Sequence, residues 1–290
     1  MSESADIATL LARGSNVLSS AGIDGAAREA RLILQHVEAI PVATQIAFSE
    51  RKVAAEAIAL FDQAVARRRQ REPLSHILGF REFWSLSFRV TRDTLDPRAD
   101  SETLIEAVLE ELKQSGTDWR TRNWRLVDFG TGTGCLLLAL LSELPQAQGL
   151  GIDLNPAAVV VARENAKRLG LADRALFQEG NWDQGLTESF DVVLSNPPYI
   201  PSADIAGLQP EVARYEPHLA LDGGADGLAA YRCLADVLSR RMKPGGLAAL
   251  EIGAGQAGDV VALMQQAGLR HVRDMRDLQG HERVVLLRKS

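Results

Sequence analysis

From residue 124 onward the chain alternates short apolar runs with segments of helical pattern. The runs lie at 125–129, 150–153, 175–178, 191–195, 247–252, 271–274 and 283–287. Asn155 and Pro156 mark one helix start, because asparagine caps helices and proline fits the first helical position. Strands separated by helices in this way predict a doubly wound parallel sheet.

The first part of the chain has a different pattern. Apolar residues recur at helical spacing between residues 7 and 71, which predicts a small helical domain at 1–72. Its third helix should begin near Ser49 and end in Arg67-Arg68-Arg69, whose solvated side chains would complement the helix dipole. No catalytic residue pattern occurs here, so we expect this domain to recognise a partner.

After Glu72-Pro73 the pattern becomes that of a strand. Trp84, Leu86 and Phe88 alternate with polar residues, and residues 77–80 form a second apolar run. These features predict a β-hairpin linker at 73–100, leaving 101–290 as the third domain. Residues 96–100 should form a turn, with Ser101 or Asp100 capping the following helix.

Composition excludes several classes of protein. A net charge of −6 over 290 residues argues against a general nucleic-acid binder. The two cysteines, Cys135 and Cys233, have no metal-ligand spacing, so we expect no metal site and a reducing compartment. Met1-Ser2-Glu3 opens no signal peptide, and the longest apolar run is too short to span a bilayer. We therefore expect a cytoplasmic protein with no membrane partner.

Ser195-Asn196-Pro197-Pro198-Tyr199 directly follows a predicted buried strand. Open α/β sheets bind ligands at such strand ends. Because proline has no N–H, the carbonyls of Asn196 and Pro197 are left as free acceptors, and Tyr199 adds an aromatic face. The group is suited to grip a planar –NH2 and to favour its electron-rich form in a transition state. A rigid turn with no chemistry explains these residues equally well on its own.

A second set of residues follows the first three predicted strands. Asp128-Phe129-Gly130-Thr131-Gly132-Thr133-Gly134 lets the backbone approach a ligand closely, but neither the dinucleotide fingerprint nor the Walker A loop is met. Asp153 ends the second strand, where a carboxylate can accept from ribose hydroxyls. Asn181-Trp182 offers an edge and a face for adenine. Each of these motifs is common by itself. Their order along the chain, after successive strands, predicts a nucleoside-binding site.

Taken in order, these motifs resemble class I S-adenosylmethionine-dependent methyltransferases that act on an amide or exocyclic amine. Their flanks resemble the bacterial HemK/PrmC family. The matching segments are Arg71-Glu72-Pro73-Leu74, Arg81-Glu82-Phe83-Trp84, Arg214-Tyr215-Glu216-Pro217, Leu221-Asp222-Gly223-Gly224-Ala225-Asp226-Gly227, Lys243-Pro244-Gly245-Gly246 and Leu250-Glu251-Ile252-Gly253. One segment departs from the family, whose Pro-Arg-Pro-Glu-Thr-Glu is here Pro97-Arg98-Ala99-Asp100-Ser101-Glu102.

The resemblance implies a Rossmann-like, mostly parallel seven-stranded sheet and an enzyme that methylates the glutamine amide of the Gly-Gly-Gln motif in peptide chain release factors. It implies the cofactor S-adenosyl-L-methionine, the product S-adenosyl-L-homocysteine, and release factors as partners of a monomer that needs no nucleic acid. The implied cofactor residues are Gly130, Thr131, Gly132, Thr133, Gly134, Asp153, Trp182 and Asn196. The implied substrate residues are Asn196, Pro197, Pro198 and Tyr199, of which Asn196, Pro197 and Tyr199 are catalytic.

Direct in-line transfer is the expected mechanism, with Glu251, His218 and Asp222 as candidate proton acceptors after methyl transfer. A helix-cap or core salt-bridge role explains each of these three residues at least as well. Two other functions compete. N(6)-adenine methylation of DNA uses the same tetrapeptide, but it requires a target-recognition domain and a basic face. A non-catalytic cofactor-binding module would have no need for acceptors at residues 196–199.

Overall fold

The computed structural model describes residues 5–290, so the expectation about Met1-Ser2-Glu3 lies outside the described residues. The chain divides into two compact units. The first, here called the helical unit, comprises residues up to Gly79 together with Pro210–Tyr215. The second, the sheet unit, comprises Phe80–Gln209 and Glu216–Ser290. Whether the parts 1–72, 73–100 and 101–290 act as separate domains stays a prediction.

Between residue 5 and Gly79 the structure contains five helices. They are α1 (Ile7–Ser20), α2 (Ala26–Glu38), α3 (Val42–Ala47), α4 (Ala55–Arg69) and α5 (Leu74–Leu78). The predicted apolar faces are confirmed, since Ile7, Leu10 and Ile33 are fully buried with Phe61 of α4. At Gly14 a Cβ atom would lie 2.5 Å from the Phe61 ring, so α1 and α4 meet where only glycine fits. The helix predicted from Ser49 begins six residues later, at Ala55.

Most of the remaining helices and strands lie in the sheet unit. Its elements are β1 (Phe80–Phe83), β2 (Leu86–Arg89), α6 (Glu102–Lys113), β3 (Arg125–Phe129), α7 (Cys135–Glu143), β4 (Gln148–Asp153), α8 (Pro156–Arg168), β5 (Ala175–Glu179), β6 (Phe190–Ser195), α10 (Ala229–Arg241), β7 (Met242–Glu251), α11 (Ala257–Gln266), β8 (Leu269–Arg276) and β9 (Glu282–Lys289). One further helix, α9 (Pro210–Tyr215), lies between β6 and α10 in sequence and belongs to the helical unit. No helix within 5–290 combines the length and apolar character that crossing a membrane requires.

Seven strands form one sheet in the order β5-β4-β3-β6-β7-β9-β8. Strands β3 to β7 pair in parallel, and β9 runs antiparallel to both β7 and β8. The predicted mostly parallel sheet is therefore confirmed. Side chains alternate between two buried layers, since Leu126 faces one core and Val127 the other. The chain order reverses between β3 and β6, where open sheets place their ligands.

The hairpin formed by β1 and β2 differs from its predicted position. Ile77 belongs to α5, and the first strand begins at Phe80. Trp84 and Ser85 connect the two strands with φ of 51° and 56°, so both adopt the left-handed conformation of a tight two-residue turn. The apolar run at 77–80 is too short for its period to distinguish a helix from a strand.

The helical unit is discontinuous because α9 packs into it. Glu211 forms ion pairs with Arg68 and Arg71, at 2.9 Å in each pair, and the Tyr215 hydroxyl donates to the Gln70 carbonyl at 2.8 Å. Arg68 also pairs with Glu29 at 2.7 Å and is only 7% exposed. The prediction of a solvated arginine run is therefore wrong for Arg68. Its charge is buried because two carboxylates compensate it.

Candidate functional site

A cavity of about 350 Å³ opens at the carboxyl ends of the parallel strands in the sheet unit. Many of its lining residues come from the loops after β3, β4, β5 and β6. The predicted site residues among them are Gly130, Thr131, Gly132, Thr133, Asp153, Trp182, Asn196 and Pro198. The structure thus brings residues 130–134, here called the glycine loop, and residues 196–199, here called the Asn-Pro-Pro-Tyr turn, to one cavity. Gly134, Pro197 and Tyr199 do not line it, and the roles assigned to them stay predictions.

The glycine loop turns sharply between β3 and α7. Gly130, Gly132 and Gly134 have φ of 74°, 53° and 79°, a region that other residues rarely adopt. The loop is fixed from below, since the Thr131 hydroxyl donates to Asp128 at 2.7 Å. Burial raises the pKa of Asp128 to about 7. The backbone of the loop is therefore held in place along one wall of the cavity.

Asp153 connects the end of β4 to this loop. One carboxylate oxygen accepts from the Gly132 N–H at 2.8 Å, and the other accepts from the Asn155 N–H at 2.9 Å. Burial raises the pKa of Asp153, while these two hydrogen bonds act to lower it. Each oxygen has a second lone pair left, so the carboxylate can still accept from two ligand hydroxyls. The predicted cap is also confirmed, because the Asn155 side chain accepts from the Ala157 N–H at 3.0 Å.

Trp182 supplies an aromatic wall. Its ring lies 6.5 Å from that of Phe129, centroid to centroid, and both residues line the cavity with Asn181. The backbone at Trp182 has φ of 53°, which is costly for a bulky residue and which the packing of the ring must offset. A flat apolar ligand group would fit against this wall.

The Asn-Pro-Pro-Tyr turn begins where β6 ends. The buried Ser195 hydroxyl donates to the Phe129 carbonyl at 2.7 Å, so the turn is tied to β3. Gln256 donates to the Tyr199 carbonyl at 3.0 Å. Burial raises the pKa of the Tyr199 phenol to about 12, which keeps it neutral. The Asn196 side chain donates through Nδ2 to the Ser101 hydroxyl at 3.4 Å.

Gly227 leaves room for this turn, and its replacement tests the packing. A Cβ atom there would lie 2.4 Å from the Tyr199 carbonyl oxygen, at a φ of +75°. We expect Gly227→Ala to lower the free energy of unfolding by about 2 kcal/mol or more. Thermal or denaturant unfolding measures the change. Gly207→Ala is the matched control, because no atom lies within 4 Å of its added Cβ. Equal stability of the two variants would contradict the close packing.

Sequence reasoning named only Asp222 as a functional candidate in one wall of the cavity, which is lined by residues 93–98 and by Pro217, Leu219, Ala220 and Asp222. Arg98 donates through Nη2 to both carboxylate oxygens of Glu216, at 2.7 and 2.8 Å. Burial raises the pKa of Glu216 to about 7, and the Arg98 charge opposes that shift. Glu216 lies in a segment that resembles the family, whereas Arg98 lies in the segment that departs from it at Ala99.

The three candidate proton acceptors occupy different places. Asp222 lines the cavity, and hydrogen bonds from Ser202 and the Gly224 N–H lower its pKa. His218 lies 3.8 Å from Asp222 and has a largely exposed side chain. Glu251 does not line the cavity and is 1% exposed. Their roles in proton transfer stay predictions.

Within residues 5–290, no group of three or more His, Cys, Asp or Glu side chains is arranged to hold a metal ion. The cavity instead combines a carboxylate that can accept from hydroxyls, an aromatic wall, a close-approach backbone loop and a side-chain amide. These groups suit a nucleoside at one end and a planar amine at the other.

Comparisons with known proteins agree with this geometry. Residues 9–79 match the PrmC N-terminal domain, and residues 120–251 match a methyltransferase domain. The release factor glutamine methyltransferase of Rhodospirillum rubrum is 48% identical over 280 residues, covering 97% of this chain and 84% of that protein. The protein of the same name from Cereibacter sphaeroides is 46% identical over 271 residues, covering 93% and 94%.

Among solved structures, a release factor-specific protein-(glutamine-N5) methyltransferase from Alicyclobacillus acidocaldarius is 26% identical, with a TM-score of 0.40, covering 67% of this chain and 94% of that one. The methyltransferase-domain match and the observed strand order confirm the predicted class I methyltransferase fold.

Proposed function

This chain belongs to the release factor glutamine methyltransferase family, and we propose from that membership that it methylates the glutamine side-chain amide in the Gly-Gly-Gln motif of peptide chain release factors. The methyl donor is S-adenosylmethionine. The observation that carries the proposal is the common cavity of the glycine loop, Asp153, Trp182 and Asn196. A nucleoside site and an amide-binding turn in one cavity are what methyl transfer to an amide requires.

The residues present fit the cofactor. Asp153 has lone pairs free for the two ribose hydroxyls, and the Gly130–Gly134 loop allows close backbone approach. Trp182 and Asn181 would hold the adenine face and edge. When bound, S-adenosylmethionine supplies a methyl group on a positively charged sulfur, which is electrophilic without further activation.

The task of this chain is then to orient the attacking nitrogen. An amide nitrogen is a poor nucleophile because its lone pair is delocalised. The Asn196 side chain and the Pro197 carbonyl would accept from its two N–H groups, favouring the electron-rich nitrogen of the transition state, and Tyr199 would pack on its plane. No base has to act before the attack, because the amide proton becomes acidic only as the methyl group arrives.

We assign recognition of the release factor to the helical unit, which has its own buried core and contributes no lining residue to the cavity within the described part of the chain. The net charge of −6 agrees with a protein partner and with no direct contact to nucleic acid. A monomer acting in the cytoplasm, where peptide release takes place, completes the proposal.

Incubation with radiolabelled S-adenosylmethionine tests the substrate. We expect label in a release factor, no label in duplex DNA, and no label in a release factor whose Gly-Gly-Gln glutamine is replaced by asparagine. Asparagine shortens the side chain by one methylene and so moves the amide away from the donor. Label in DNA, or equal label in the substituted release factor, would show a different substrate.

A further inference from the structure

Ser101 contacts the amide that the proposed function places at the reacting nitrogen. Its hydroxyl accepts from Asn196 Nδ2 at 3.4 Å, and the residue is 2% exposed. Ser101 occupies the N-cap position of α6, yet its side chain makes no capping hydrogen bond. The predicted capping role is therefore wrong for Ser101. The hydroxyl is instead directed at groups of the sheet edge.

The second neighbour of the Ser101 hydroxyl is Glu251, the last residue of β7. Leu250 pairs with Ser195, so Glu251 stands beside Asn196 at the ends of adjacent strands. A hydrogen bond from Ser101 acts to lower the pKa of the Glu251 carboxyl. Glu251 is 1% exposed, and its Oε2 atom has no hydrogen-bond partner among the described residues. The Tyr231 hydroxyl donates to the Glu251 carbonyl at 2.8 Å, which fixes the backbone there.

Glu251 interacts electrostatically with charged and titratable groups of several elements. They are Arg283 of β9, Arg98 and Asp100 before α6, Tyr199 after β6, Tyr231 of α10 and Cys135 of α7. Burial raises the pKa of Glu251 to about 7, Asp100 adds to this shift, and Ser101 and the two arginines oppose it. Glu251 therefore changes charge close to neutral pH.

A hydroxyl has a single proton to donate, and this limits how the three groups can be arranged. An ionised Glu251 can only accept, so the Ser101 proton goes to it and the Ser101 oxygen must accept from Asn196 Nδ2. The Asn196 oxygen is then turned the other way. A protonated Glu251 can donate to Ser101, whose own proton becomes free to hold the Asn196 oxygen instead.

We propose that Glu251, acting through the Ser101 hydroxyl, sets the orientation of the Asn196 amide so that its oxygen is presented to the substrate amine. Glu251 and Ser101 are positioning residues, because neither supplies or receives the methyl group. The inference rests on the proposed function, since it explains how Asn196 is kept in the orientation that this function needs.

The test is the single-turnover rate of methyl transfer to a release factor, measured from well below to well above pH 7. In the unsubstituted protein the rate should rise with pH around pH 7, because the ionised Glu251 gives the productive orientation of Asn196. This rise is called the limb of the pH profile. Glu251→Gln removes the titrating carboxyl and should abolish the limb. Ser101→Ala should lower the rate roughly 10-fold or more above pH 7 and also abolish the limb. Ser101→Thr restores the hydroxyl and should restore both.

Glu111→Gln is the matched control, because Glu111 is a buried glutamate that pairs with Arg273 and Arg288 and does not line the cavity. It should keep the limb. Thermal unfolding and the Kd for S-adenosylhomocysteine should change little in the Ser101 variants, which separates a lost orientation from a lost fold.

The outcomes separate a failure of this inference from a failure of the proposed function. If the pH limb survives in Glu251→Gln, another group causes it; if it survives in Ser101→Ala, Glu251 acts directly on Asn196. Either result overturns the inference, and so does an unsubstituted protein whose rate shows no limb. If the unsubstituted protein methylates no release factor at any pH, the proposed function fails instead.

Discussion

Replacing Asn196 with alanine is expected to lower the rate of methyl transfer by roughly 10²-fold or more, since a group that stabilises the transition state is removed. The residue lines the cavity, and its amide is held by Ser101. Single-turnover kinetics with a release factor measures the rate. Binding of S-adenosylhomocysteine, measured by calorimetry, should weaken much less, because Asp153 and the glycine loop remain.

Asn123→Ala serves as the matched control for this prediction. Asn123 is exposed and precedes β3, away from the residues that line the cavity. Its replacement should leave both rate and binding unchanged. If Asn196→Ala transferred methyl groups at close to the unsubstituted rate with cofactor binding intact, the in-line mechanism with Asn196 as acceptor would be wrong.

Replacing Asp153 with alanine is expected to raise the Kd for S-adenosylmethionine roughly 100-fold or more. Hydrogen bonds to a charged group contribute about 1.5–3 kcal/mol each, and two ribose hydroxyls lose their acceptor together. The Gly132 and Asn155 N–H groups also lose theirs, which loosens the loop. Isothermal titration calorimetry measures the effect.

Asp153→Asn keeps one acceptor oxygen, so its Kd for S-adenosylmethionine should lie between those of the unsubstituted protein and Asp153→Ala. Asp173→Ala removes an exposed aspartate that does not line the cavity, and it should bind S-adenosylmethionine normally. A Kd for Asp153→Ala close to that of the control would place the ribose somewhere else in the cavity.

The sheet and much of the cavity could be predicted from the sequence because their signals are local. Apolar runs identify strands, and residues directly after parallel strands must meet at one edge of the sheet. Gly132, Asp153 and Asn196 were found in this way, and the structure places all three along one cavity. The helix cap at Asn155 joins residues two positions apart, so it too could be predicted from the local sequence.

Contacts between residues distant in sequence could not be predicted from the sequence. Arg68 looks like part of a solvated basic run until Glu211, 143 positions later, is seen to pair with it. Ser101 has the sequence context of a helix cap, and its actual partner Asn196 lies 95 positions away. Glu251 could be named as a candidate acceptor, but its burial behind Asn196 depends on the pairing of β6 with β7. Such pairings are fixed by tertiary structure, so a local pattern does not carry them.

The discontinuity of the helical unit limits how the protein can be divided. Six of its residues, Pro210–Tyr215, are encoded within the stretch that otherwise builds the sheet unit. A cut at one point in the gene would leave Glu211 without both of its arginine partners, which lie before Gly79. Chimaeras with other family members must therefore exchange the two stretches together.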